Sequence, residues 1–121
     1  MKYCEIEPTD ISHAWSALES KSFDRLQELV VAVALHEADS SHAVSLLIEA
    51  ARASHTVTRG NAILGFGHLA RRFGALDRSA VEHIVAAGLF DEEAYVRGQA
   101  YSAADDLDHF LGWQILARTG A

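Results

Sequence analysis

Apolar residues recur every three to four positions along most of the chain, the spacing that places them on one side of an α-helix. Polar capping residues begin these segments, and Gly74 and Gly112 follow the two longest, where a glycine commonly ends a helix. No useful run alternates between apolar and polar residues, so the pattern predicts an all-α protein. The predicted helices span residues 10–19, 22–36, 40–53, 57–73, 77–87 and 92–110, and a short apolar tail at 113–116 is expected to cover the end of the helical array.

The chain also resembles itself at an offset of 38 residues. Residues 57–74 (VTRGNAILGFGHLARRFG) align with residues 95–112 (YVRGQAYSAADDLDHFLG), and five of the 18 positions are identical. Helical repeats of this length are typical of α-solenoids, whose units bury their apolar faces against neighbouring units. The sequence therefore predicts a single domain over residues 1–121, a short solenoid of about three helix pairs, and such folds mostly bind other macromolecules. The identical pairs are Arg59/Arg97, Gly60/Gly98, Ala62/Ala100, Leu69/Leu107 and Gly74/Gly112.

The strings VTRGNA and YVRGQA resemble the start of the second helix in HEAT-type repeats, where an Asp-led turn precedes a valine–arginine pair. The resemblance covers about residues 39–112, and the first helix pair matches it loosely. Thr58 and Ala53 depart from the pattern, since valine and aspartate are the usual residues there. The longer string RGNAILGFGHLAR…LD…YVRGQAYSAADDL is similar to small bacterial HEAT-like proteins, some of which act as immunity proteins of contact-dependent or polymorphic toxin systems.

Charge and targeting signals restrict the partners. The chain has 17 acidic residues against 10 Lys and Arg, a net charge of −7, whereas phosphate binding needs clustered cations, so no nucleic-acid partner is expected. An acidic surface favours cationic partners, although the same charge also keeps a protein soluble. No segment approaches a membrane span, and MKYCEIEP lacks the apolar core of a signal peptide. The lone Cys4 fits a reducing compartment, so a cytoplasmic protein without a membrane partner is expected.

The repeated arginines and glycines have a structural interpretation. In HEAT-like stacks the arginine reaches an acid in a neighbouring turn, so Arg59 and Arg97 are expected to join repeats, with Asp91 near Arg97. A glycine inside a helix costs about 0.5–1 kcal/mol relative to alanine, so each one should have a reason. Close helix packing is the ordinary reason, and a ligand backbone against the helix is the alternative. The glycines in question are Gly60, Gly65, Gly67 and Gly98.

The resemblance implies a binding protein that neutralises a cognate toxin by occlusion, without enzymatic activity, cofactor or metal. Many toxins of these systems are nucleases with cationic clefts, and an acidic helical surface would complement such a partner. The chain is expected to be a monomer alone or a heterodimer with the toxin. Because the second helices of HEAT-type units usually line the concave face, their outward residues are predicted to contact the partner. These residues are Asn61, Leu64, His68, Arg71, Gln99, Tyr101, Ser102, Asp105, Asp106 and His109.

The alternative function is a small metal-dependent or lyase-like HEAT-repeat enzyme. The string DDLDH puts Asp105, Asp108 and His109 on one helical face, and carboxylates with a histidine can bind a metal. Further ligands would have to come from other helices, with His36, Glu37 and His68 as the available donors. A surface that docks cations, or an acidic face exposed to solvent, explains the same string with fewer assumptions.

Overall fold

The computed structural model describes residues 9–121, and every regular element within that range is an α-helix. The predicted all-α class is therefore confirmed. No helix in this range is both long and apolar enough to cross a membrane. The helices are α1 (Ile11–Glu19), α2 (Phe23–His36), α3 (Ser40–Ala50), α4 (Thr56–Phe73), α5 (Arg78–Gly88), α6 (Ala94–Leu111) and α7 (Ile115–Thr119).

The polar residues before α1, α3 and α5 explain where these helices begin. The carboxylates of Asp10, Asp39 and Asp77 each accept a hydrogen bond from a backbone N–H of the first turn, at 2.9, 2.9 and 3.1 Å. These backbone hydrogen bonds hold the pKa of Asp10 and Asp39 below its usual value, and a hydrogen bond from the Ser79 hydroxyl has the main part in lowering that of Asp77. At the other end, Gly74 and Gly112 adopt φ angles of 68° and 70° after α4 and α6, as the sequence predicted.

The second helices of the three pairs form one parallel layer. Helix α4 packs against both α2 and α6, while α1, α3 and α5 pack against α2, α4 and α6 respectively. Hydrogen bonds between α4 and α2 join residues 34 to 38 positions apart, which requires the two helices to run in the same direction. The bonds between α4 and α6 have the same offsets. We call α2, α4 and α6 the inner layer.

The core lies where the first helices meet the inner layer. Ala62, Ala100 and Leu107, three of the positions that are identical at the 38-residue offset, are fully buried. Alanine is frequent in the core, which lets the helices approach closely. The largest side chains with essentially no exposure are Phe66, Leu26, Leu46, Leu47, Leu69, Leu107 and Ile115.

The segment after α6 was predicted as an apolar tail, and it contains a helix instead. Trp113 and Ile115 are buried, and α7 packs against α6 and α5. The carboxylate of Asp108 accepts hydrogen bonds from the backbone N–H groups of Ile115 and Leu116, at 2.7 and 3.0 Å. This carboxylate satisfies donors that the start of a helix leaves unpaired. A helix of five residues has too little periodicity to be recognised in sequence.

Three of the four helix-interior glycines allow close packing, and the fourth does not. A Cβ atom added to Gly60 would lie 2.8 Å from the Tyr95 ring, and one added to Gly65 would lie 2.8 Å from Leu47. At Gly67 the added atom would lie 2.9 Å from the Asp106 carboxylate and 3.1 Å from the Ala103 backbone. Gly98 has no atom within 4 Å of such a Cβ. Nothing among the described residues requires a glycine there.

Replacement of Gly98 by alanine is expected to raise the free energy of unfolding by about 0.5–1 kcal/mol, because alanine loses less backbone entropy in a helix. Gly67→Ala is the matched substitution, and it is expected to lower stability because the Ala103 backbone cannot move away from the new methyl group. Urea denaturation followed by circular dichroism measures both variants. Equal effects of the two substitutions would contradict the packing of α4 against α6.

Candidate functional site

Asn61 and Gln99, two of the predicted contact residues, form a polar network between the inner-layer helices. The Tyr95 hydroxyl donates to Asn61 Oδ1 at 2.6 Å, and Gln99 Nε2 donates to the same oxygen at 3.2 Å. Asn61 Nδ2 donates to the Gln27 carbonyl on α2 at 3.0 Å. Both amide side chains are half-buried. Their hydrogen bonds hold α2, α4 and α6 in register. Only part of each amide side chain remains exposed for contact with a partner.

A second group lies two turns further along the same helices. Arg71 Nη2 donates to Asp106 Oδ1 at 3.5 Å, joining α4 to α6. His68 is half-buried beside them. Burial lowers the pKa of His68 and nearby Arg71 lowers it further, while Asp106 raises it in part. The imidazole is therefore neutral at neutral pH.

Spacings of three and four residues place these side chains on a single face of the inner layer. Leu64 is half-buried between the two groups, and Ser102 and His109 are exposed on α6. We call this surface the layer face. It comprises Asn61, Leu64, His68 and Arg71 of α4, and Gln99, Ser102, Asp106 and His109 of α6.

Tyr101 and Asp105 lie on a different face of α6. Gln99 and Ala103 face α4, and Tyr101 is two residues from each. Two residues correspond to about 200° around a helix, so the Tyr101 side chain lies on the side away from α4. Tyr101 is 52% exposed, and Asp105 is exposed next to it on the same side. The predicted contact residues are thus divided between the layer face and this second surface, the outer α6 face.

The residues proposed as metal ligands do not come together. Asp108 binds the backbone of α7 through both carboxylate oxygens. Glu37 accepts a hydrogen bond from the Asp39 N–H at 3.0 Å, at the end of α2. Across residues 9–121 no three His, Cys, Asp or Glu side chains are grouped so that they could bind a metal ion. Asp105 and His109 share a helical face with Asp108. The Asp108 carboxylate, however, is occupied by hydrogen bonds from the backbone at the start of α7.

Asp91 lies near Arg97, as expected, but its carboxylate binds Arg59. Arg59 Nε and Nη2 donate to that carboxylate at 2.9 and 3.0 Å. The two side chains are only 16% and 17% exposed. The hydrogen bond from Arg59 lowers the pKa of Asp91, and Asp91 raises that of Arg59. This pair links the second repeat to the third.

The two arginines nevertheless make the same backbone contacts. Arg59 Nη1 donates to the Ala53 and Ser54 carbonyls, at 3.1 Å each. Arg97 Nη1 donates to the Asp91 and Glu92 carbonyls, 38 residues later, at 2.8 and 3.1 Å. The remaining edge of the Arg97 guanidinium, Nε and Nη2, makes no hydrogen bond to any residue from 9 to 121. The predicted contact residues did not include Arg97 or Gly98. The identity of these two residues with Arg59 and Gly60 was the signal in the sequence that α6 repeats the surface of α4.

Comparison of the chain with protein-family models, with curated proteins and with solved structures finds no match.

Proposed function

We propose that this protein is a binding module of the HEAT-like solenoid type, an immunity protein that occludes a cognate, cationic toxin such as a nuclease. The observation that carries the proposal is the layer face, on which polar and charged side chains of α4 and α6 lie side by side in register. A helical array with such a face, and without a grouped set of candidate metal ligands in residues 9–121, is suited to recognition of a macromolecule.

The repeated contacts favour the HEAT-like assignment. Arg59 and Arg97 bind carbonyl groups six and five residues before them, so the turn before each inner-layer helix is built in the same way. The bidentate bond from Arg59 to Asp91 then joins successive units. These are the contacts expected where each repeat is stabilised by its neighbours.

The layer face is held in place before a partner binds. Asn61 and Gln99 are fixed by hydrogen bonds across three helices, and Arg71 contacts Asp106. Ordering of side chains at an interface costs about 0.5–1.5 kcal/mol for each flexible side chain, and prior ordering reduces that cost. Tyr101 and Asp105 lie beside this face and would extend the contact, since tyrosine is frequent among residues that dominate binding energy.

The charge of the protein sets the chemistry of the partner. A net charge of −7 attracts a cationic surface over long range and raises the association rate. Occlusion of a cationic cleft requires binding but no chemical reaction by this chain. The layer face is suited to that role, since several of its side chains are already used in structural contacts.

The test is to find which products of the genes adjacent to its own are toxic to the host and to co-express each of them with this protein. Growth of the host should be restored, and the two proteins should co-elute as a stoichiometric complex. Ser102→Arg should weaken the complex at least roughly tenfold, because it puts a bulky cation at the centre of the layer face against a cationic partner. Ser16→Arg is the matched control, since Ser16 is exposed on α1.

Absence of binding by any neighbouring gene product would contradict the proposed function. Binding that Ser102→Arg leaves unchanged would contradict the assignment of the layer face as the contact surface.

A further inference from the structure

The outer α6 face carries a row of exposed side chains in which a cation and an acid lie on either side of a tyrosine. The row consists of positions four residues apart, which form a continuous ridge along a helix. Its members are Arg97, Tyr101 and Asp105, and all three are exposed. Beside it runs a second exposed row of small residues, Ala94 and Gly98. The small row leaves a shallow groove next to the ridge, because Gly98 has open space where a Cβ would be.

The repeat offset shows what this face corresponds to inside the molecule. Arg97 and Gly98 are equivalent to Arg59 and Gly60, which receive α6. There, Arg59 binds the Asp91 carboxylate and the Tyr95 ring lies against Gly60. No described residue covers the equivalent positions on α6. Between Arg97 and Asp105 the outer α6 face is therefore the equivalent of a helix-receiving surface and carries no described helix, whereas α7 occupies its end at Asp108.

A further parallel helix would not pack on this surface as α6 packs on α4. Asp105 stands at the position equivalent to Gly67. At Gly67 even a methyl group would lie 3.1 Å from the backbone of the helix received there. A carboxylate side chain at that position excludes the same close approach. A helix that packs on α6 therefore lies further from it or crosses it at a different angle.

The charges of the ridge specify the orientation of the helix that packs on it. Arg97 and Asp105 lie four residues on either side of Tyr101. Reversal of the row exchanges the cation with the acid. In a parallel pair of such rows like charges would meet, whereas in an antiparallel pair each Arg97 would meet an Asp105.

We propose that a second copy of this chain binds here, with the two outer α6 faces packed antiparallel around a twofold axis beside Tyr101. Arg97 of each copy binds Asp105 of the other, and the Tyr101 ridge of each lies in the small-residue groove of its partner. Packing of ridges formed by residues four apart gives a crossing angle of about −50°.

Arg97 is prepared for this contact. Its Nη1 atom is held by two backbone carbonyls, so the Nε and Nη2 edge is oriented before the partner arrives. The same edge of Arg59 binds a carboxylate in two hydrogen bonds. Two copies of −7 repel each other, however, so the dimer is weak, with a micromolar or higher Kd. The dimer contains only copies of this chain, and its formation does not depend on the proposed function.

Sedimentation equilibrium of the full chain, without any partner, tests the proposal. The wild-type protein should show a reversible monomer–dimer equilibrium. Asp105→Arg should raise the dimer Kd at least roughly tenfold, because it places two arginines opposite each other twice per dimer. Glu19→Arg changes the net charge equally at an exposed position on α1, and it should not weaken the dimer.

Mixing of charge variants tests the antiparallel register. Arg97→Glu and Asp105→Arg should each be monomeric, since like charges meet in both homodimers. An equal mixture should form a heterodimer, in which acids at 97 and 105 of one copy meet arginines at 105 and 97 of the other. Circular dichroism of each variant verifies that it is folded.

A cysteine pair gives a second measurement that does not require Arg97 to be replaced. In a Cys4→Ser background, Tyr101→Cys should form an intermolecular disulfide quickly when an oxidant such as oxidised glutathione is added, because the two cysteines lie next to each other across the twofold axis. Ala87→Cys, exposed on α5, is the control and should react slowly. The proposal is wrong if the wild type is monomeric up to about 1 mM. It is also wrong if Asp105→Arg leaves the dimer intact, if the folded mixture forms no heterodimer, or if the two cysteine variants cross-link equally.

Discussion

Replacement of Leu107 by alanine is expected to lower the free energy of unfolding by about 2–5 kcal/mol, the range for truncation of a buried leucine. Leu107 has no exposed surface, and it lies on the side of α6 that faces the core. Its loss removes apolar contacts and leaves a cavity that helices held by neighbouring repeats cannot easily close. Urea denaturation followed by circular dichroism gives the value.

Leu64→Ala is the matched control for this experiment. Leu64 is half-buried on the layer face, so its truncation leaves no enclosed cavity and should cost less than Leu107→Ala. A similar loss for the two variants would show that the assignment of buried and exposed helix faces is wrong.

Replacement of Asp91 by alanine is expected to lower the free energy of unfolding by about 2–4 kcal/mol, because it leaves the Arg59 guanidinium largely buried without its carboxylate. This range begins below that of about 3–5 kcal/mol for a fully buried pair, since the side chains of Arg59 and Asp91 keep 16% and 17% of their surface exposed. The chain provides its own comparison. Arg59→Ala and Arg97→Ala each remove hydrogen bonds to two backbone carbonyls, but only Arg59→Ala also removes a carboxylate bond. Equal losses for these two variants would show that the Asp91 pair contributes nothing.

The same pair predicts a dependence on pH. The hydrogen bond from Arg59 lowers the pKa of Asp91 below its usual value of 3.8. The stabilisation is therefore fully present above that value and is lost as the pH falls through the lower pKa of the folded state. The difference in unfolding free energy between wild type and Asp91→Asn should be constant from about pH 5 to 7 and should shrink below about pH 4. A difference that grows towards acid would contradict the assignment.

The arrangement of the predicted contact residues followed from the sequence only in part. Repeat alignment paired Asn61 with Gln99 and His68 with Asp106, and the structure places each pair on adjacent helices of one layer. The alignment did not reveal that Asn61 and Gln99 are occupied by hydrogen bonds to each other and to Gln27, because a partner from a third helix leaves no local signal.

The sequence by itself determined which segments form α1 to α6, and where α4 and α6 end. Helix formation depends on the period of apolar residues, on capping side chains and on glycine at helix ends, all of which are local. It also determined that Arg97 and Gly98 repeat Arg59 and Gly60.

Only the tertiary structure decided which arginine binds Asp91, which carboxylate begins α7, and on which side of α6 Tyr101 lies. Asp91 is six residues before Arg97 and 32 after Arg59, yet its carboxylate binds the more distant arginine, Arg59. The physical reason is that a long side chain can reach several groups, and the packing of α6 against α4 decides which one is near. The exposure of the outer α6 face was also decided by the tertiary structure, because a helix surface is exposed only where no other element packs on it.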